Sequence, residues 1–189
     1  NCAVFDDRSI KCWGYNDGSG TLGLGPEKPG NQGDGPNEMG TNLPFLNVGG
    51  GRSVKSIVGG SDHTCALLDN NTVKCWGWNL QGQLGYGDKE HRGDNESIDG
   101  VPSVNLGVRV RTFSSYQWHS CAILENRSVE CWGWNGEGYG QRGALGLGVP
   151  KPLEVFGNLL ASGRGAVSGG GKSCFGRMGR CRVEVEVLA

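Results

Sequence analysis

The sequence predicts an all-β chain built of β-propeller blades, each a small antiparallel sheet. Three observations carry that reading: one string recurs three times, each copy alternates instead of recurring at helical spacing, and cysteines recur in local pairs. CAVFDDRSIKCWGYN at 2–16 returns as CALLDNNTVKCWGWN at 65–79 and as CAILENRSVECWGWN at 121–135. Each copy runs on to a Leu-Gly-x-Gly close, at 22–25, 84–87 and 145–148.

Within a copy, alternation around a short polar centre predicts a β-hairpin. With the turn at Asp69 to Asn71, Cys65 faces Cys75 and Leu67 faces Val73. The same register sets Cys2, Val4, Ile10 and Cys12, and later Cys121, Ile123, Val129 and Cys131, on one side of their ribbons. Residues directly opposite in an antiparallel pair lie about 4.5 to 5.5 Å apart at Cα, a span that a disulfide accepts. Bridges are therefore expected at Cys2 and Cys12, Cys65 and Cys75, Cys121 and Cys131, and at the more closely spaced Cys174 and Cys181. Zinc sites favour two to four intervening residues with further ligands nearby, so no metal is expected. Stable bridges imply an oxidising compartment, and the expected location is extracellular or at the cell surface. The turn centres Asp7, Asn70 and Asn126 are residue types that tolerate the left-handed conformation.

A strand is expected before each hairpin, because 53–63 aligns with 109–119. Strand, bend, hairpin and bend make one sheet, and radial repetition of such sheets makes a propeller. Pro26 to Pro44, Asp88 to Pro102 and Gly136 to Arg142 read as loops. The three repeats occupy residues 1–148, with boundaries at about 1–52, 53–108 and 109–161. Residues 162–189 read as a degenerate fourth repeat or a capping strand, where Lys172 replaces the repeated His and Val183, Val185 and Val187 alternate with Glu184 and Glu186. Three clear repeats make an incomplete ring.

Composition narrows the function. The chain has 189 residues with 18 basic and 19 acidic side chains and a net charge of -1, so nothing pulls it toward nucleic acid. No stretch approaches the roughly 20 apolar residues of a spanning helix.

The string Asp62 to Leu68, followed by Val73 to Asn79 and Gly82 to Gly85, resembles the repeat of the regulator of chromosome condensation family. The resemblance covers most of residues 1–148. It implies propeller blades, usually seven to a ring, in a family that ranges from a nuclear exchange factor for a small GTPase to secreted inhibitors of β-lactamase.

Single residues divide between packing and function. Trp13, Trp76 and Trp132 follow the second cysteine and are expected to pack the blades. Tyr15, Trp78 and Trp134 place an aromatic at a second repeated position, and rotation-related blades would set them in an arc on one rim, suited to a protein partner or a glycan. His63 and His119 share a repeat position and are expected to make hydrogen bonds inside their own blades, while His91 is expected to be solvated. Asn70, Asn95 and Asn126 head glycosylation sequons. Arg92-Gly93-Asp94 is a short chance match to an adhesion tripeptide, and Gly49 to Gly51 and Gly169 to Gly171 are expected to serve turns, not phosphate. No catalytic set and no cofactor pattern stands out. The expected function is a non-catalytic extracellular structural or binding module that associates with further blades or subunits. The alternatives are a secreted inhibitor, a carbohydrate-binding propeller or a guanine nucleotide exchange factor-like protein.

Overall fold

The structure is a computed structural model, and it describes residues 1–28 and 30–135, Leu145, and the backbone of 174–175 and 180–181. β1 (Cys2–Val4) and β2 (Ile10–Cys12) form a hairpin. β3 (Val54–Gly59), β4 (His63–Leu68) and β5 (Val73–Gly77) form a sheet in that order, which β6 (Val110–Tyr116), β7 (His119–Leu124) and β8 (Val129–Gly133) repeat. β9 (Cys174–Phe175) pairs with β10 (Arg180–Cys181). Among the described residues there is no α-helix, only a 3-10 turn at Gly40–Asn42, and no helix is long and apolar enough to cross a membrane.

The register follows the alternation. Cys65 stands opposite Cys75 and Leu67 opposite Val73, with Cys2 opposite Cys12, Cys121 opposite Cys131 and, in the backbone, Cys174 opposite Cys181. Disulfides join Cys2 to Cys12, Cys65 to Cys75 and Cys121 to Cys131, each across 4.1 Å of Cα separation. The side chains of Cys174 and Cys181, most of the 136–148 segment and the alternating 182–188 tail lie outside the described residues.

The hairpin tips correct the expectation for Asp7, Asn70 and Asn126. The left-handed residue is the next one, Arg8, Asn71 or Arg127, with φ of 65°, 64° and 69°. Each loop is a tight turn closed by a left-handed residue: Asn71 N–H donates to Leu68 O, and Leu68 N–H to Thr72 O. The expected residue does a different job. Asn70 Oδ1 accepts from Thr72 N–H (3.2 Å) and Thr72 Oγ1 (2.8 Å), and Asp7 with Ser9 and Asn126 with Ser128 repeat the contact. A short polar side chain that bonds two residues ahead holds the turn.

Consecutive sheets stack face to face, and the core is divided between the seams. Leu67, Val73 and the Cys65–Cys75 bridge pack with Val110, Phe113, Leu124 and Trp132 of the next sheet. The opposite face of the same sheet, Ala66, Leu68 and Trp76, packs with Ile10, Leu22 and Leu46. Every residue of β4 and β5 is buried for this reason, because side chains of both parities meet a neighbour.

The segments after the first two hairpins fold back onto their own blades. Leu46 N–H donates to Ile10 O, and Val104 N–H to Val73 O, so these segments cover the outer edges of β2 and β5. The Tyr86 hydroxyl closes the rest of the β5 edge, donating to Cys75 O (2.9 Å) and accepting from Cys75 N–H (3.1 Å). Lys74 is buried in the seam, its ammonium donating to the carbonyls of Val48 (2.6 Å) and Ile98 (2.9 Å). Burial holds its pKa below the ordinary lysine range.

Candidate functional site

Two repeated asparagines shape the rim. Asn79 Oδ1 accepts from Leu84 N–H (3.0 Å), while its Nδ2 donates to the carbonyls of Asp88 (3.2 Å) and Glu90 (2.9 Å). One buried side chain thus ties the Leu-Gly-x-Gly close to the loop beyond it. Asn135 Oδ1 likewise accepts from Leu145 N–H (3.0 Å).

An aromatic track runs along this rim. Trp78 stacks on His91 at 6.4 Å between ring centroids and lies 6.2 Å from Trp118, which meets Trp134 edge-on at 5.5 Å. Trp118 Nε1 donates to Asp62 Oδ2 (3.2 Å), and Trp78 N–H to Asp62 O (2.8 Å). The carboxylate of Asp62 therefore sits at the junction of two blades.

The three aromatics expected on the rim fare differently. Tyr15 is 72% exposed, Trp78 is half-buried, and Trp134 is only 8% exposed, so it acts as a floor under Trp118. Trp118 is the residue that sequence reasoning missed. It occupies in the third copy the place that Asp62 holds in the second, a pairing that side-by-side alignment of the copies makes visible. His91 is not simply solvated, since its Nδ1 accepts from Asn79 N–H (3.0 Å) while its ring stacks on Trp78.

His63 works between blades, not within its own, which corrects the blade-internal expectation for that residue. His63 Nε2 lies 3.1 Å from Ser120 Oγ in the next sheet. This serine–histidine pair is sealed, His63 being 1% exposed, and no substrate can reach it.

The other short motifs are parts of the repeat. Arg92 forms a bridge with Gly77 and an ion pair with Asp88 (2.6 Å), and Gly93 is buried against Gly20. Gln32 takes the Arg92 position in the first copy, bridged to Gly14. Gly49 to Gly51 all have positive φ and form a turn, as expected; Gly169 to Gly171 lie outside the described residues. At Asn70 and Asn126 the sequon residues also build the turn, as Asp7 and Ser9 do in the first copy. Asn95 is exposed in the 88–102 loop. Among the described residues no group of three or more His, Cys, Asp or Glu side chains could hold a metal ion.

Consecutive antiparallel sheets of the same strand order, packed seam to seam, define a β-propeller repeat protein. The sequence model of the regulator of chromosome condensation (RCC1) repeat matches residues 54–83 and 110–141, and the chain belongs to that family. It is 32% identical over 185 residues to the mitochondrial RCC1 domain-containing protein RUG3 of Arabidopsis thaliana, covering 90% of this chain and 38% of that protein. It is 33% identical over 139 residues to the ultraviolet-B receptor UVR8 of the same plant, covering 74% of this chain and 27% of the receptor. The chain thus spans well under half the length of these curated relatives. Yeast RCC1 (Prp20), solved bound to Kap60, superposes with a TM-score of 0.55 at 20% identity, covering 83% of this chain and 33% of that one. Human WBSCR16 superposes with a TM-score of 0.54 at 20% identity, covering 78% and 34%. At such identity these two structures establish the fold.

The relatives overturn the expected extracellular or cell-surface location, since the one matched over 90% of this chain is a mitochondrial protein. Facing cysteines on a hairpin are brought within bonding distance by strand pairing itself, whatever the compartment, so their spacing reports register and not redox environment.

Proposed function

We propose that this chain is a protein-binding module without catalytic chemistry of its own, and that its partner is anchored on the aromatic track. One observation carries the reading: Trp78, Trp118 and Trp134 are in continuous contact across two blades, with Asp62 fixed between them. Rings already held by their neighbours lose little freedom when a partner covers them, which lowers the cost of binding. Relatives support the class of function, since yeast RCC1 was solved bound to Kap60 and Prp20p was studied for binding to Gsp1p and histones.

The reading includes association with further blades. Val129 is 42% exposed and Ile123 half-exposed, whereas their counterparts Val73 and Leu67 are covered by the next sheet. It keeps the repeat boundaries near 1–52, 53–108 and 109–161, with 162–189 as a degenerate fourth repeat or cap, for which the facing Cys174 and Cys181 give support.

The test is binding to candidate protein partners by calorimetry, with a glycan array run alongside. Loss of protein binding in Trp78→Ala and Trp118→Ala variants that remain folded is the expected result. Retained protein binding in both variants would overturn the reading, and a glycan signal lost in both would replace the protein partner with a carbohydrate.

A further inference from the structure

The seam between the second and third sheets holds a buried polar network whose proton count can be worked out. Ser120 Oγ lies 3.2 Å from Gln83 O, 3.0 Å from Ser115 Oγ and 3.1 Å from His63 Nε2. A carbonyl only accepts, so all three contacts are met together when the Ser120 hydroxyl donates to Gln83 O and its oxygen accepts from His63 Nε2–H. That arrangement makes His63 the Nε2–H tautomer, with a bare lone pair on Nδ1. That atom is buried and has no hydrogen-bond partner. The backbone of Gly60 closes over it so tightly that a Cβ there would stand 2.4 Å away.

We propose that this seam is an acid-sensitive latch: protonating His63 on Nδ1 puts a buried charge where nothing accepts its hydrogen, and the second and third blades part. The side chains packed around the ring offer the charge no relief, and the backbone carbonyl of Gln117 beside Gly60 is taken by Ser61 N–H. Gly77 of β5 and Gly60 carry no side chain, and Asp62 turns its carboxylate to Trp118. From β7 comes His119, a second imidazole, with Tyr116 of β6 edge-on behind it. Burial, reinforced by His119, pushes the His63 pKa down to about 4 from its ordinary 6.5.

The sign follows from linkage. The folded state prefers the neutral ring, so the contribution of this site is complete above the unfolded pKa of 6.5 and fades as pH falls toward about 4. Residues joined across the seam report the opening: Ser61 N–H donates to Gln117 O (2.9 Å) and Trp132 Nε1 to Gln83 O (3.0 Å).

The experiment is hydrogen exchange of the Ser61 amide and the Trp132 indole in the full chain from about pH 7.5 to about pH 3.5, corrected for intrinsic rates. Protection at both sites is expected to collapse together as the pH drops below 6.5, ahead of sites in the β1–β2 hairpin. In His63→Gln, which keeps a donor for Ser120 but cannot gain a proton, the collapse is expected to vanish. The same acid collapse in His63→Gln, or its loss only in His119→Gln, would overturn the latch. If His63→Gln does not fold, ring-nitrogen NMR of the wild type decides. An Nε2–H tautomer titrating well below the ordinary histidine range sustains the proposal, and an Nδ1–H tautomer or an unshifted titration refutes it.

Discussion

Trp132 of the third repeat lies flat against Gly85 of the second: a Cβ on Gly85 would stand 2.7 Å from the indole nitrogen. Trp76 meets Gly23 at the same distance one seam earlier. The Trp-Gly and Leu-Gly-x-Gly elements of the repeat are thus two halves of one joint, each tryptophan seated on a glycine of the preceding copy.

Gly85→Ala is therefore expected to destabilise the chain by about 2–4 kcal/mol, since the new methyl overlaps a buried ring and φ of 81° strains any L-residue. Chemical denaturation measures it. Gly18→Ala, also at positive φ but with open space around it, is the control and is expected to cost less.

Lys74→Met keeps the apolar stem but leaves the carbonyls of Val48 and Ile98 without their shared donor. A loss of about 2 kcal/mol is expected. An unchanged denaturation midpoint would mean that water replaces the ammonium.

Asn79→Ala removes three backbone contacts at once and should cost about 2–4 kcal/mol. The loop carrying Asp88 to Arg92 loses its tether, so the His91 ring should leave Trp78. Histidine proton shifts, which report ring stacking, would detect that movement before global unfolding.

Reducing the hairpin bridges should lower stability by roughly 2–3 kcal/mol for each loop of this size, within the chain-entropy account. Mass measurement after alkylation, with and without reductant, counts the bonded pairs independently. Full alkylation without reductant would show facing thiols in place of bonds.

Much of this was legible in the amino-acid order. Alternation around Asp69 to Asn71 is enough to set Cys65 against Cys75, because a hairpin has period two and one short loop. The left-handed residue was misplaced by one position since tolerance of positive φ marks Asn70 and Asn71 alike, and only the hydrogen bond from Asn71 N–H to Leu68 O selects between them. Trp118 went unnoticed because its partners Trp78 and Asp62 belong to another copy, and a repeat pattern aligns positions without saying which copies touch.

The sequence alone determined the repeat, the strand register and the pairing of cysteines, all consequences of local alternation in one ribbon. The tertiary structure decided what crosses between ribbons: that His63 reaches Ser120 instead of its own blade, that Trp132 needs Gly85, and that Trp118 completes the aromatic track. The physical reason is distance along the chain. Contacts within a hairpin follow from a few torsions, whereas those between blades depend on how whole sheets stack, and no short-range pattern encodes that.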